Sequence, residues 1–375
     1  TQHSDYINRA NPDAVIEDQD LQELIDNVHN LVMLPGEEII HVLPQEYKID
    51  GQADIREPKG MYGSRLEANF HIVVGQISSI KNIGRCVRSS ELEISDITLE
   101  PLASAEAVLS QEEKEAGVVL VDIGGGTTDV AIFKDGIIRH TAVIPFGGNV
   151  ITEDIKEGCS IIEKQAELLK IKFGSAWPGE NKENEIVSIP GLRGREPKEI
   201  SMKMLSKIIN ARVVEIIEQV YLEIKNYGYT ENKKKLIAGI VLTGGGAQLK
   251  HIKQLVEFVT GMDTRIGYPN EHLASTSNDD LSSPIYATAV GLVLKGLEGQ
   301  SRRAALREEE EELINKETTA ENSEIEDPEL ENQSSENADE SSEQEQASKE
   351  KKKGRSPSVF ENWAAKFRNF LNEDL

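Results

Sequence analysis

The feature that most restricts the fold of this chain is a turn of three glycines between two apolar segments. The first segment, Gly117–Asp122, is apolar until its last residue, which is typical of a strand covered on both faces. The second segment, Val130–Lys134, also has the character of a strand. The residues between them are small, and the candidate ligand-binding residues among them are Gly124, Gly125, Gly126, Thr127 and Thr128. Because glycine has no Cβ, the amides of such a turn can approach an anion closely.

The chemistry of this turn favours a phosphate group. Successive N–H groups form a concave anion site, and the hydroxyls of Thr127 and Thr128 can add donors. Asp122 ends the strand and is placed to hold Mg²⁺ through a water molecule, since magnesium usually binds few carboxylates together with waters and phosphates. The turn is not a P-loop, because the GK[ST] ending is absent and a strand follows instead of a helix.

A second glycine turn follows another buried strand, Ile237–Leu242, and precedes a predicted helix, Leu249–Val259. Its candidate ligand-binding residues are Gly244, Gly245, Gly246 and Gln248. A helix N-terminus preceded by small residues favours negative charge and close approach of a ligand. One such turn is weak evidence, but two turns that each follow an apolar strand predict loops that converge on one nucleotide from opposite sides.

The remaining periodicity predicts further helices and strands, so the fold class is α/β. Asp18 is the expected cap of the first helix. The predicted helices are 21–31, 81–89, 160–172, 200–226 and 284–294, and the further strands are 38–50, 66–75 and 137–144, the last after a turn at Asp135-Gly136.

Composition excludes several classes of function. The formal net charge is −25, much of it between Glu308 and Glu350, and this argues against nucleic acid, which is bound by surplus Lys and Arg. Cys86 and Cys159 form no CxxC pair, so neither a disulfide scaffold nor a zinc site is expected. His41 and His140 have no partners at metal-ligand spacing, and we interpret both as structural.

The C-terminal part of the chain has a different character. Residues 299–357 are rich in Glu, Ser, Asn, Gln and Lys, and we predict an acidic disordered linker. An apolar stripe at helical spacing then follows within residues 358–375: Phe360, Trp363, Phe367, Phe370 and Leu371. An amphipathic aromatic helix after such a linker can bind a membrane surface or a groove on a partner protein. The basic residues just before it, Lys351–Lys353 and Arg355, favour anionic lipid.

The glycine turns and their surroundings resemble the actin/heat-shock-ATPase/sugar-kinase superfamily. The first turn resembles its second phosphate motif, and the second turn resembles its adenosine motif. Phe146–Ile155 and Pro284–Leu292 resemble the two connecting motifs, in which Ala and Gly let two helices cross closely. Glu167 and Lys170 lie on a segment similar to the helix that contacts ribose and adenine in this superfamily. The alternative is a solvated helix face with an i,i+3 charge pair.

Within that superfamily, the N-terminal region resembles the FtsA family of bacterial cell-division proteins. The resemblance rests on His41–Asp50, Ile55–Pro58, Gly60–Gly63 and His71. It implies an actin-like ATPase fold with the extra α+β subdomain of that family. The implied domains are 1–96 for this subdomain, 97–298 for the ATPase core with a distal subdomain at 156–235, 299–357 for the linker and 358–375 for a membrane-targeting helix. The resemblance also implies that the first phosphate motif belongs to a segment before Thr1.

The resemblance further implies a function. FtsA-type proteins bind ATP with Mg²⁺, polymerise, and anchor the FtsZ division ring to the cytoplasmic face of the membrane as peripheral proteins that also recruit later division proteins. Hydrolysis in this chain is expected to be weak or absent. The FtsZ C-terminal peptide would dock on the distal subdomain, where the candidate residues are Arg195, Lys198, Lys203 and Arg212. The alternative for these basic residues is a solvated polar face.

Three other classes of protein compete with this interpretation. A pilus-assembly relative shares the fold, but the HVLPQEY segment and the terminal helix fit the FtsA family better. A sugar or acid kinase would need a substrate-binding acid or base in its cleft. A chaperone ATPase would carry a substrate-binding β-domain where this chain has an acidic tail.

Overall fold

The computed structural model describes residues 1–180, 185–191, 196–229, 236–269, 273 and 279–301. The predicted terminal helix and most of the acidic linker lie outside these residues, as does Arg195. Among the helices that the structure does describe, none combines the length and the apolar character needed to cross a membrane.

An antiparallel sheet with two helices forms the N-terminal part of the chain. Its elements are β1 (Gln2–Asn8), α1 (Asp18–His29), β2 (Glu37–Ile49), β3 (Gln52–Ile55), β4 (Arg65–Gln76) and α2 (Ile77–Ser89). The strand order is β1-β4-β2-β3. Leu24 and Val28 of α1 pack with Leu66 and Phe70 of β4 in a separate apolar core. This is the α+β unit that the sequence predicts for the N-terminal region.

Several details of this region differ from the predictions: β3 was not predicted, and α2 begins at Ile77 and not at Lys81. Strand β1 was not predicted, because its side chains are mostly exposed and only Ile7 is buried. The prediction of Asp18 as a cap is wrong by one residue, since α1 begins at Asp18 and Glu17 is the cap. The backbone N–H of Glu17 donates to the carboxylate of Asp20 at 3.0 Å, which holds the first turn in place.

The central sheet holds the first glycine turn. The elements that follow α2 are α3 (Glu100–Val108), α4 (Gln111–Ala116), β5 (Val118–Ile123), β6 (Thr128–Lys134), β7 (Ile137–Ile144), α5 (Gly148–Cys159), α6 (Glu163–Phe173), β8 (Ile186–Ile189), β9 (Lys198–Ser201), α7 (Met202–Asn226), β10 (Ile240–Thr243), α8 (Ile252–Thr260), β11 (Thr264–Ile266) and α9 (287–301). The sheet has the order β11-β10-β5-β6-β7, in which β10 runs parallel to β5 and β11.

Both faces of this sheet are covered, as the apolar run before the first glycine turn predicts. Val119 and Val121 of β5 lie in the core formed with α5 and α7. Val118 and Leu120 lie in a second core on the opposite face, formed with α3. Alternate residues of one strand thus enter different cores, so no polar position is left before Asp122.

Several helix boundaries differ from the predictions because single residues adopt the left-handed conformation. Ser160 has φ 47°, which ends α5 and delays the start of α6 to Glu163. His251 has φ 62°, so α8 begins at Ile252 and not at Leu249. Helix α3 was not predicted at all.

The close crossing expected near the second connecting motif is present. A Cβ built on Gly291 of α9 would lie 1.8 Å from the carbonyl oxygen of Ala103 in α3. The two helices therefore touch through backbone atoms at this point.

Polar contacts join the N-terminal sheet to the core. The Gln45 side-chain amide donates to the carbonyl of Ile138 at 2.5 Å, and His71 Nε2 lies 3.0 Å from the Thr141 hydroxyl. His41 Nε2 accepts the backbone N–H of Leu99 at 3.0 Å.

The third histidine of interest, His140, makes its contact within the core, where its Nε2 lies 3.0 Å from a carboxylate oxygen of Glu223. Each of these histidines has a hydrogen-bonding partner inside the fold.

Candidate functional site

The two glycine turns line one cavity of about 300 Å³. The first turn contributes Gly124 and Gly125, and the second contributes Gly245, Gly246 and Gln248. Helix α6 adds Glu167 and Lys170 to the wall. The turns are brought together because β5 and β10 are parallel neighbours, so their carboxyl ends lie at the same edge of the sheet. Ligand sites of small molecules begin at about this volume.

The glycines of the second turn do not all serve the cavity. Gly244 has φ 81°, and a Cβ there would lie 2.3 Å from Asp122 Oδ1 and 2.6 Å from the carbonyl oxygen of Ile123. Gly244 is absent from the cavity lining, and so is Gly126, but a Cβ on Gly126 would meet no protein atom within 4 Å, so only Gly244 has a packing role. We therefore correct its expected role: it allows the two turns to pack against each other and does not face the ligand.

The start of α5 also faces the cavity, although the sequence marked this segment only by its resemblance to a connecting motif. Gly148 donates its backbone N–H to the carbonyl of Gly124 at 2.9 Å, and Asn149 donates to Gly125 at 2.8 Å. A Cβ on Gly147, the N-cap of α5, would lie 2.6 Å from the oxygen of Gly124. These contacts fix the shape of the first turn. The signal in the sequence was the Gly147-Gly148-Asn149 triplet, separated by two residues from the end of a strand.

Asp122 lies beneath the first turn and is only 2% exposed. Its carboxylate accepts a hydrogen bond from the Ser104 hydroxyl of α3 at 2.8 Å. Burial raises the pKa of Asp122, and the charge of Asp129 acts in the same direction. A nearby cation would relieve both effects, so the donor set fits a hydrated Mg²⁺. Asp122 is not on the cavity wall, so any contact with Mg²⁺ would have to pass through water.

The two threonines of the first turn were expected to face a phosphate, but their hydroxyls donate within the protein. Thr127 donates to the carboxylate of Asp129 at 2.9 Å. Thr128 is fully buried and donates to the carbonyl of Phe146 at 2.8 Å. Each hydroxyl has one proton, so neither is left for a phosphate in this arrangement. We remove Thr128 from the expected ligand donors, and Thr127 is left with its backbone N–H.

A third carboxyl group, Glu100, lies close to Asp122 and Asp129. The residue is exposed at the first turn of α3, yet partial desolvation and the charges of Asp129 and Asp122 raise the pKa of its carboxyl to about 7. A carboxyl with such a pKa can exchange a proton at neutral pH, which is the property required of a general base. The sequence analysis missed Glu100 because it missed α3.

Replacing Glu100 should change how stability depends on pH. The pKa of Glu100 is higher in the folded chain than its ordinary value of 4.5, so the folded state binds the proton more tightly. This contribution to stability is fully present below pH 4.5 and is lost as the pH rises through about 7. We expect the melting temperature of the wild type to fall between pH 5 and 7.5 relative to Glu100→Gln, because glutamine does not titrate.

The control for this experiment is Glu93→Gln, at an exposed position in the connection before α3. Thermal unfolding followed by circular dichroism at several pH values measures the effect. Parallel pH profiles for Glu100→Gln and the wild type would contradict the assignment.

The residues Glu167 and Lys170 form a close network with α5. Lys170 Nζ lies 2.7 Å from a carboxylate oxygen of Glu167 and donates to the carbonyl of Gly148 at 2.8 Å. It also donates to the Thr152 hydroxyl at 2.7 Å. The i,i+3 charge pair of the alternative interpretation is thus present. Both residues line the cavity, although the Glu167 side chain is still 41% exposed.

The candidate basic residues of the distal subdomain do not form one uniform surface. Arg212 makes a bidentate ion pair with Asp154 at 2.6 and 3.0 Å, so its charge is compensated. Lys198 is exposed and donates weakly to the carbonyl of Ser160 at 3.4 Å. Lys203 is half-buried on α7. These contacts do not test the peptide site, which stays a prediction.

The sheet, its paired glycine turns and the cavity between them define a protein of the actin-like ATPase fold. A chain of a PilM–PilN type IV pilus biogenesis complex has a TM-score of 0.54 and 15% identity, covering 79% of this chain and 76% of that one. MreB5 of Spiroplasma citri has a TM-score of 0.46 and 22% identity, covering 60% and 67% of the two chains.

The sequence comparisons define the family within that fold. Residues 119–291 match the family described as cell division protein FtsA, and residues 1–74 match the SHS2 domain inserted in FtsA. Cell division protein FtsA of Pseudomonas aeruginosa is 40% identical over 77% of this chain and 68% of its own length. The corresponding protein of Neisseria meningitidis serogroup B is 36% identical over 80% and 72%. The chain therefore belongs to the FtsA family, which assigns it a role in cell division.

Proposed function

We propose that this chain binds ATP with Mg²⁺ and polymerises into an adaptor that anchors the FtsZ division ring to the cytoplasmic face of the membrane. The observation that carries the nucleotide part is the cavity between the two glycine turns. Its phosphate end offers backbone amides, and its other walls offer Glu167 and the apolar side chains of Ile171 and Leu249. Bound Mg²⁺ would neutralise charge on the phosphates.

The protein's own groups suggest how each part of the nucleotide would be held. The amides of Gly125 and Gly126 would bind phosphate oxygens, whereas the Gly124 N–H already donates to the carbonyl of Thr127 at 2.9 Å. The N-terminus of α5 would add a favourable dipole. The Glu167 carboxylate would accept hydrogen bonds from the ribose hydroxyls. Glu100 would accept a proton if water attacks the terminal phosphate, and we propose that this reaction is slow.

Gly126→Ala tests whether phosphate approaches the first turn. A Cβ at Gly126 meets no protein atom within 4 Å, so the variant should fold and melt like the wild type. We expect its affinity for a fluorescent ATP analogue to fall at least tenfold, because the added methyl group would occupy the space of the phosphate. Unchanged affinity, measured by fluorescence anisotropy with Mg²⁺ present, would remove phosphate from this turn.

We propose that the adaptor role is divided among the domains that the resemblance to the FtsA family implies. Residues 1–96 serve self-association and contacts with later division proteins, and 156–235 serves the FtsZ C-terminal peptide. The linker 299–357 separates filament and bilayer, and the helix 358–375 binds anionic lipid. One short helix binds a membrane weakly, but a filament presents many such helices at once.

Co-sedimentation with anionic liposomes tests the membrane part of this proposal. The full chain should sediment with the vesicles, whereas a version ending at Pro357 should stay in solution. Equal behaviour of the two versions would indicate that the terminal helix docks on a protein partner instead.

A further inference from the structure

Thr152, on the second turn of α5, lies at the centre of the network behind the cavity. The residue is 5% exposed. Its hydroxyl lies 3.1 Å from the carbonyl oxygen of Gly148 and also contacts a carboxylate oxygen of Glu167. It accepts a hydrogen bond from Lys170 Nζ at 2.7 Å. No role follows for Thr152 from the ligand contacts described above, since it does not line the cavity between the glycine turns.

The donors and acceptors of this network can be counted. An ammonium group has three N–H donors. Lys170 donates two of them, to Gly148 and Thr152, and its charge is paired with Glu167 at 2.7 Å. Lys170 is therefore held mainly by groups of the protein in this arrangement. The Thr152 hydroxyl has one proton and two acceptors within reach, the carboxylate of Glu167 and the carbonyl of Gly148. Only one of these two bonds can form at a time.

The same network continues to the first glycine turn. Gly148, whose carbonyl binds Lys170, donates its own N–H to Gly124 at 2.9 Å, and Asn149 donates to Gly125 at 2.8 Å. A change at Glu167 can thus reach the turn through the Thr152 hydroxyl and the Lys170 ammonium.

We propose that Thr152 is a positioning residue that couples the Glu167 side of the cavity to the phosphate-binding turn. The proposal rests on nucleotide binding in this cavity. When a ligand hydroxyl donates to Glu167, the carboxylate becomes a weaker acceptor for Thr152. The Thr152 hydroxyl then rotates and donates to the carbonyl of Gly148. The first turn of α5, and with it Gly124 and Gly125, is then held more firmly. Lys170 acts in the same way as a clamp on α5 and not as a direct ligand.

The test replaces Thr152 by valine, which has a similar shape but no hydroxyl, and by serine, which keeps the hydroxyl. We expect Thr152→Val to weaken binding of a fluorescent ATP analogue about ten- to a hundredfold, the size of a lost hydrogen bond to a charged group. Thr152→Ser should restore most of the affinity. Thr260→Val is the matched control, since Thr260 is a buried helical threonine with the same bond to the carbonyl four residues earlier, at Val256.

Hydrogen exchange supplies a readout that a purely structural role would not change. Saturating adenosine, which carries no phosphate, should slow exchange of the amides of residues 147–149 in the wild type and in Thr152→Ser. The same ligand should leave those amides unchanged in Thr152→Val.

The outcomes separate the two proposals. A wild type that binds neither ATP analogue nor adenosine would refute nucleotide binding, and the coupling with it. A wild type that binds, together with a Thr152→Val variant of equal affinity and equal protection at residues 147–149, would refute the coupling alone.

Discussion

Gly291→Ala is expected to lower the free energy of unfolding by about 3 kcal/mol or more, the upper range for inserting atoms into a packed interior. A Cβ at this position would lie 1.8 Å from the carbonyl oxygen and 2.4 Å from the carbonyl carbon of Ala103. Both are backbone atoms of α3, so no side chain can rotate away to make room. The two helices would have to separate.

Separation of these helices would also reach the site. Thr288, one turn before Gly291 on α9, lies 2.9 Å from the Ser104 hydroxyl, which in turn donates to Asp122. We therefore expect Gly291→Ala to weaken nucleotide binding as well as folding. Urea unfolding followed by circular dichroism measures the loss of folding stability.

The control is Gly296→Ala on the same helix. A Cβ at Gly296 meets nothing within 4 Å, and alanine is favoured over glycine in a helix interior by up to about 1 kcal/mol. The control should thus be as stable as the wild type or slightly more stable. If both variants were as stable as the wild type or more stable, helix propensity, and not the crossing with α3, would govern this segment.

Gly147→Ala is expected to reduce nucleotide affinity by more than a hundredfold, since the change deforms the phosphate-binding turn itself. A Cβ on Gly147 would lie 2.6 Å from the oxygen of Gly124 and 2.7 Å from that of Gly125. Its φ of −154° suits alanine, so the expected loss comes from contact and not from backbone strain. The turn would have to move by about an ångström to restore ordinary contact distances, and shifts of that size disrupt positioned hydrogen bonds.

Isothermal titration with ATP and Mg²⁺ measures this effect. Gly299→Ala, where a Cβ has no neighbour within 4 Å, is the control and should keep wild-type affinity. Wild-type affinity in Gly147→Ala would mean that the turn can shift without loss, and the amides of Gly125 and Gly126 would no longer be the binding groups.

Much of the fold could be predicted from the sequence because it depends on local chemistry. An uninterrupted apolar run such as Val118–Val121 can only be stable where both faces are covered, and the two cores of the sheet confirm this. Runs of glycine after two such strands predicted the convergence of two turns, since parallel strands end at the same edge. The N-terminal helix and long strands also followed from periodicity.

Other elements carried too little local signal. Strand β1 is polar and is held in place by β4 along its whole length. Helix α3 is rich in small residues that pack against the sheet and Gly291, so its sequence has no clear polar face. Glu100 was missed for this reason, although it is the carboxyl whose pKa is most clearly shifted towards neutrality.

The sequence by itself determined the α/β class, the two glycine turns and the pairing of Glu167 with Lys170, because strand burial, glycine geometry and helical spacing are properties of neighbouring residues. The tertiary structure alone decided which glycines face the cavity and which separate two backbones, as Gly244 does beside Asp122. It also decided that the protons of Thr127, Thr128 and Lys170 are used inside the protein. Each side chain has a limited number of donor protons, and only the folded chain shows which acceptors lie close enough to bind them.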